Sequence, residues 1–107
     1  MSFASGILAG KSAIVTGGAT GIGAFIVQKL GALGANVGIV SRKEENLVSA
    51  VNEFKNSDGI DVDWCVGDVR DPEGIKKSFD QLAEKIGGID ILVCNAAGNF
   101  ICPTEEL

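Results

Sequence analysis

The chain predicts an open, doubly wound parallel α/β sheet, and three features carry that prediction. They are four short β-branched or apolar runs, three amphipathic helical stretches between them, and a glycine-rich turn joining the first run to the first helix. "SAIVT" (Ser12 to Thr16) is the first strand, short and apolar as strands are when helices cover both faces of a parallel sheet. Ile22, Ile26, Leu30 and Leu33 then step along one face of a helix that Gly34 ends. "NVGIVS" (Asn36 to Ser41) is the second strand, and Leu47, Ala50, Val51 and Phe54 form an i, i+3, i+4, i+7 stripe on the second helix. "VDWCV" (Val62 to Val66) follows as the third strand. The third helix opens with Asp71-Pro72-Glu73, a capping residue and then proline at the first helical position. It carries Ile75, Phe79, Leu82, Ala83 and Ile86 on one face and closes at Gly87-Gly88, before a fourth strand from Ile89 to Cys94. Right-handed crossovers in this β-α-β-α-β-α-β order give a Rossmann-type sheet with strand order 3-2-1-4.

After the fourth strand, "NAAGNFICPTEEL" reads as a loop and the start of a helix, with Thr104 as its cap and Glu105 and Glu106 in its first turn. A complete dinucleotide fold places further elements against the fourth strand. Residues 1–107 are therefore expected to be the N-terminal, cofactor-binding half of a single domain, with the edge of the fourth strand unpaired.

Composition narrows the function classes. The net charge is -5, with basic residues scattered, which argues against a nucleic-acid footprint and a polybasic membrane surface. No apolar run approaches the roughly 20 residues of a membrane span. Three cysteines without a CxxC pair, and no histidine, suggest neither a disulfide framework nor a metal site, so a reducing intracellular compartment is expected. "MSFASGILAGKSAIV" lacks the pattern of a secretory leader. The expected location is the cytoplasm of a bacterium, or the mitochondrion or peroxisome of a eukaryote.

"TGGATGIG" (Thr16 to Gly23) lies between a predicted strand and a predicted helix, with glycines at 17, 21 and 23. Gly17 allows a tight turn, Gly21 lets backbone approach a pyrophosphate, and Gly23 permits close helix–strand packing. Gly18, Ala19, Thr20 and Ile22 complete the candidate cradle, and the helix N-terminus supplies free N–H groups and positive potential for an anion. At the end of the second strand an acidic residue would bind the adenosine ribose hydroxyls of NAD. Here stand Ser41, Arg42 and Lys43, two cations suited to the 2′-phosphate of NADP(H), with Glu44 and Glu45 nearby diluting the charge. Asp68, at the end of the third strand, is placed to accept from an adenine amino group, with Val69 lining the ring.

Taken together, "TGGATGIG", "GDV" and "NAAG" resemble the short-chain dehydrogenase/reductase family along essentially the whole chain. The resemblance implies that Asn95, Ala96, Ala97 and Gly98 steady the central sheet and line the cofactor. Closer still, "SRK", "DVRDP" and "NAAGNFICPTEEL" look like the NADPH-dependent 2,4-dienoyl-CoA reductases of unsaturated fatty acid β-oxidation. That resemblance gives Asn99 the thioester carbonyl, Phe100 the acyl pocket and Arg70 the CoA phosphates. A fixed amide donor at the carbonyl would stabilise the negative charge that builds there as hydride arrives. Cys94 departs from these reductases, which often carry another Asn there. A proton donor, Tyr or in some members Asp, with a Lys nearby, is implied beyond the fourth strand; this sequence contains no Tyr.

The expected function is thus NADPH-dependent reduction of 2,4-dienoyl-CoA thioesters, with an acyl-CoA substrate, no nucleic-acid or membrane partner, and a homo-oligomer at full length. Two alternatives stand beside it. One is another NADPH-dependent acyl-thioester reductase acting on 2-enoyl-CoA or 3-oxoacyl substrates; the other is a truncated, non-catalytic nucleotide-binding module.

Overall fold

A computed structural model describes residues 6–17, 19 and 21–95. Its elements alternate as β1 (Ser12–Thr16), α1 (Gly21–Ala32), β2 (Asn36–Ser41), α2 (Glu44–Glu53) running into a π-helical turn (Phe54–Asp58), β3 (Val62–Val66), α3 (Pro72–Ile86) and β4 (Ile91–Cys94). All four strands are parallel, in the order β3-β2-β1-β4 that the sequence predicts.

The strands' period of two sorts their side chains onto two helical layers. Val15, Val37 and Ile39 pack with Val27 of α1, Leu47 and Ala50 of α2, and Phe54. Ile14 and Val40, one position along, pack on the opposite face with Ile75, Leu82 and Ile86 of α3. Burying one such aliphatic side chain contributes about 1.5–3 kcal/mol, so the central strands β1 and β2 anchor both layers. All five residues of β1 are buried.

The predicted faces of α2 and α3 match the observed ones, with Val51, Phe79 and Ala83 partly buried at their margins. Asp71 caps α3 by accepting from the Gly74 N–H at 3.2 Å. The face of α1 is partly as expected, with Ile26 and Leu30 packed against the core, but its centre is shifted by one position: Gly23 and Val27 are buried, whereas Ile22 is 71% exposed. At the first turn, the residue nearest the sheet is the one without a side chain, which turns Ile22 outward. Strand β4 begins at Ile91, two residues later than the pattern suggests, because Asp90 serves β1. Its carboxylate accepts from the Ser12 N–H at 2.8 Å, while its own N–H donates to the Ser12 carbonyl at 2.8 Å.

Cys65 is a free thiol. Among the described residues no helix is long and apolar enough to cross a membrane, and no cluster could hold a metal.

Candidate cofactor site

The carboxyl ends of the strands form a cleft of about 470 Å³. Each strand delivers one part of it. Gly17 follows β1 and extends the ladder by donating to the Val40 carbonyl at 2.9 Å. Val40, Ser41 and Arg42 come from the end of β2, Gly67 to Arg70 from the end of β3, and Asn95 follows β4. Ile22, turned outward from α1, closes one side.

The turn from β1 to α1 needs its glycines. Gly17 and Gly21 have φ of 66° and 60°, a region that disfavours residues with a Cβ. Helix α1 begins directly after this turn, and the unpaired N–H groups of a helix's first turn favour an anion.

Thr16 ties this turn to the end of β4. It is completely buried, and its hydroxyl donates to the Val93 carbonyl at 3.3 Å while accepting from the Asn95 N–H at 2.9 Å. A single side chain therefore joins segments 79 residues apart. Thr16→Val keeps the shape and leaves the Asn95 N–H without its acceptor, so it is expected to cost about 1–3 kcal/mol. Thr16→Ser, which keeps the oxygen, is expected to melt closer to the parent. Equal melting temperatures for the two variants would remove the hydroxyl from this account.

Asp68 and Arg70 meet in the cleft as a fork. The Asp68 Oδ1 accepts from the Arg70 backbone N–H at 2.9 Å and from Nε at 3.1 Å, and Oδ2 accepts from Nη2 at 2.9 Å and from Nε at 3.3 Å. Hydrogen bonds from the Arg70 side chain, then its backbone N–H, hold the carboxyl well below the usual range, at about 2, and the charges of Arg70 and Arg42 act in the same direction. The same pairing raises Arg70 above its ordinary value.

Of the site residues expected from sequence, Gly17, Ile22, Ser41, Arg42, Asp68, Val69, Arg70 and Asn95 line this one cleft. Ala19 lies in the turn before α1 and Gly21 is the first residue of α1; neither is among the lining residues. Lys43 is exposed at the start of α2 and is not among the lining residues. Gly18, Thr20, Ala96, Ala97, Gly98, Asn99 and Phe100 fall outside the described residues. Sequence reasoning missed Val40 and Gly67. The available signal was their position, since each adjoins the carboxyl end of a strand and that end of a parallel sheet opens the crevice.

The sheet order, the glycine turn and the cleft at the strand ends define a dinucleotide-binding oxidoreductase fold. The model of the short chain dehydrogenase family matches residues 11–107, and the chain belongs to that family. It is 44% identical over 103 residues to the "Probable 2,4-dienoyl-CoA reductase 3" of Caenorhabditis elegans, covering 95% of this chain and 33% of that protein. It is 37% identical over 101 residues to the peroxisomal 2,4-dienoyl-CoA reductase of Danio rerio, covering 94% and 34%. Among solved structures, the actinorhodin polyketide ketoreductase with NADPH superposes with a TM-score of 0.77 at 34% identity, covering 91% of this chain and 37% of that one. The chain thus spans about a third of the length of the curated relatives it matches.

Proposed function

We propose that residues 1–107 form the N-terminal, cofactor-binding half of an NADPH-dependent reductase of 2,4-dienoyl-CoA thioesters. The observation that carries the cofactor reading is the cleft itself: the glycine turn, Arg42 and Asp68 come from three strand ends and line one cavity. A nicotinamide dinucleotide fits the donor set, with α1 amides toward the pyrophosphate, Arg42 toward a 2′-phosphate and Asp68 toward the adenine amino group. When bound, the cofactor supplies hydride, and the protein's share is to hold it, orient the acyl chain and provide a proton.

The names of the worm and zebrafish relatives support the dienoyl substrate, as does the "NAAGNF" turn. In this reading Asn99 holds the thioester carbonyl, Phe100 lines the acyl pocket, Arg70 presents its free Nη1 edge to the CoA phosphates, and the proton donor follows the fourth strand. The working protein is a homo-oligomer acting in fatty acid β-oxidation.

NADPH oxidation by the full-length protein should be fast with a 2,4-dienoyl-CoA and slow with 3-oxoacyl and 2-enoyl thioesters. Turnover with 3-oxoacyl thioesters alone would favour the second reading, which likeness to the NADPH-bound ketoreductase supports. NADPH binding without turnover of any acyl thioester would favour a non-catalytic module.

A further inference from the structure

We propose that Arg70 is a positioning residue for the adenine end of the cofactor: its guanidinium locks the Asp68 carboxylate in the orientation that accepts the adenine amino group. This inference rests on the dinucleotide reading of the cleft and does not depend on the acyl substrate.

The two residues are neighbours at the end of β3, and both line the cleft. A carboxylate offers about four acceptor positions. Arg70 engages both oxygens at once, through Nε and Nη2 on the side chain and through its own backbone N–H. Because Nε is shared between the two oxygens, three N–H donors fix the carboxylate's plane and leave one of its acceptor positions for a ligand donor. An unheld Asp68 would rotate about its side-chain torsions and share that position with water. Planar, forked donation is a property of arginine that lysine lacks.

Charge adds a second consequence. A dinucleotide is polyanionic, and an isolated carboxylate in its site would repel it. Arg70, at 2.9 Å, neutralises Asp68 locally, so the acceptor is kept and its repulsion is offset. Orientation and neutralisation can be separated, because Arg70→Lys retains charge without the fork.

The test is binding of two ligands to the full-length protein: NADPH, and an NADPH analogue whose adenine carries hydrogen in place of the 6-amino group. The parent is expected to prefer NADPH by about tenfold or more, the worth of one hydrogen bond to a charged acceptor. In Arg70→Gln that preference should fall to about threefold or less, and both ligands should bind more weakly. Arg70→Lys should recover overall affinity but not the preference for the amino group. Asp68→Asn should show little preference either, and adding Arg70→Gln to it should change the preference no further. A preference unchanged in Arg70→Gln, or fully restored by Arg70→Lys, overturns the positioning role. Equal binding of the two ligands by the parent overturns it as well. Failure of the parent to bind NADPH at all would overturn the dinucleotide reading beneath it.

Discussion

Gly23→Ala is expected to lower NADPH affinity of the full-length protein by about a hundredfold or more, a larger loss than for any other single methyl group added near the cleft. A Cβ at this position would collide with the Gly17 carbonyl oxygen and lie 2.8 Å from the Gly17 carbonyl carbon and 2.7 Å from the Asn95 Nδ2. Two of those three atoms are backbone, which cannot swing away as a side-chain tip can. Relief requires that α1 retreat from the turn or that the turn open. Either movement shifts the N-terminus of α1 relative to Gly17, which lines the cleft, and pushes on Asn95, whose N–H Thr16 holds. Overpacking of this kind also costs roughly 1–3 kcal/mol of stability. Calorimetric titration with NADPH and a thermal melt report the two effects separately. Binding within about twofold of the parent would show that the turn yields without consequence, and the geometry of the cradle would then not be what confers affinity.

The contrast between Gly23 and the rest of the chain explains how much was legible in the sequence. Strand order followed from local signals, because "SAIVT", "NVGIVS" and "VDWCV" are short apolar runs separated by helical stripes, and the handedness of crossovers leaves few topologies. The stripes of α2 and α3 were readable for the same reason, since a residue's side of a helix follows from its number. The shifted centre of the α1 face was not, because the buried first-turn residue is a glycine and adds nothing to an apolar pattern. The π-helical turn at Phe54–Asp58 also escaped: its Phe54 completes the α2 stripe, while its last residue, Asp58, accepts from Gln28 of α1 at 3.1 Å, a tertiary contact.

The site divided along similar lines. Gly17, Arg42 and Asp68 could be named before any distance was known because strand ends in a parallel sheet converge, and Asn95 because "NAAG" resembles the family's turn. What they do to one another was not available. The hydroxyl of Thr16 bridges 79 residues, and nothing in the composition of "SAIVT" marks its last residue as a clasp. The resemblance to dienoyl-CoA reductases assigned Arg70 to a substrate's phosphates; its fork onto Asp68 emerges only from side-chain geometry.

Arg42→Asp is expected to reverse the preference between phosphorylated and unphosphorylated cofactor, weakening NADPH by about a hundredfold while changing NADH by about threefold or less, or improving it. The reasoning begins with position. Arg42 follows the last residue of β2 and lines the cleft, at the place where a carboxylate would receive the adenosine ribose hydroxyls of an unphosphorylated cofactor. Lys43 is also near but does not line the cavity, and Glu44 and Glu45 begin the following helix, so Arg42 is the cation at this strand end that faces the cleft. Substitution by aspartate removes a charge-assisted partner of the 2′-phosphate and sets an anion in its place; toward NADH the same carboxylate becomes an acceptor for the ribose hydroxyls. One effect works against this selectivity. Arg42 also helps hold Asp68 ionised through space, so its loss touches the adenine end of both cofactors. That influence ranks below those of Arg70 and is felt by NADH and NADPH alike, whereas the phosphate is felt by NADPH alone. The ratio of the two dissociation constants is therefore the quantity to measure. An unchanged ratio, with both cofactors weakened equally, would make Arg42 a structural residue of the β2 end and remove the basis for assigning NADPH.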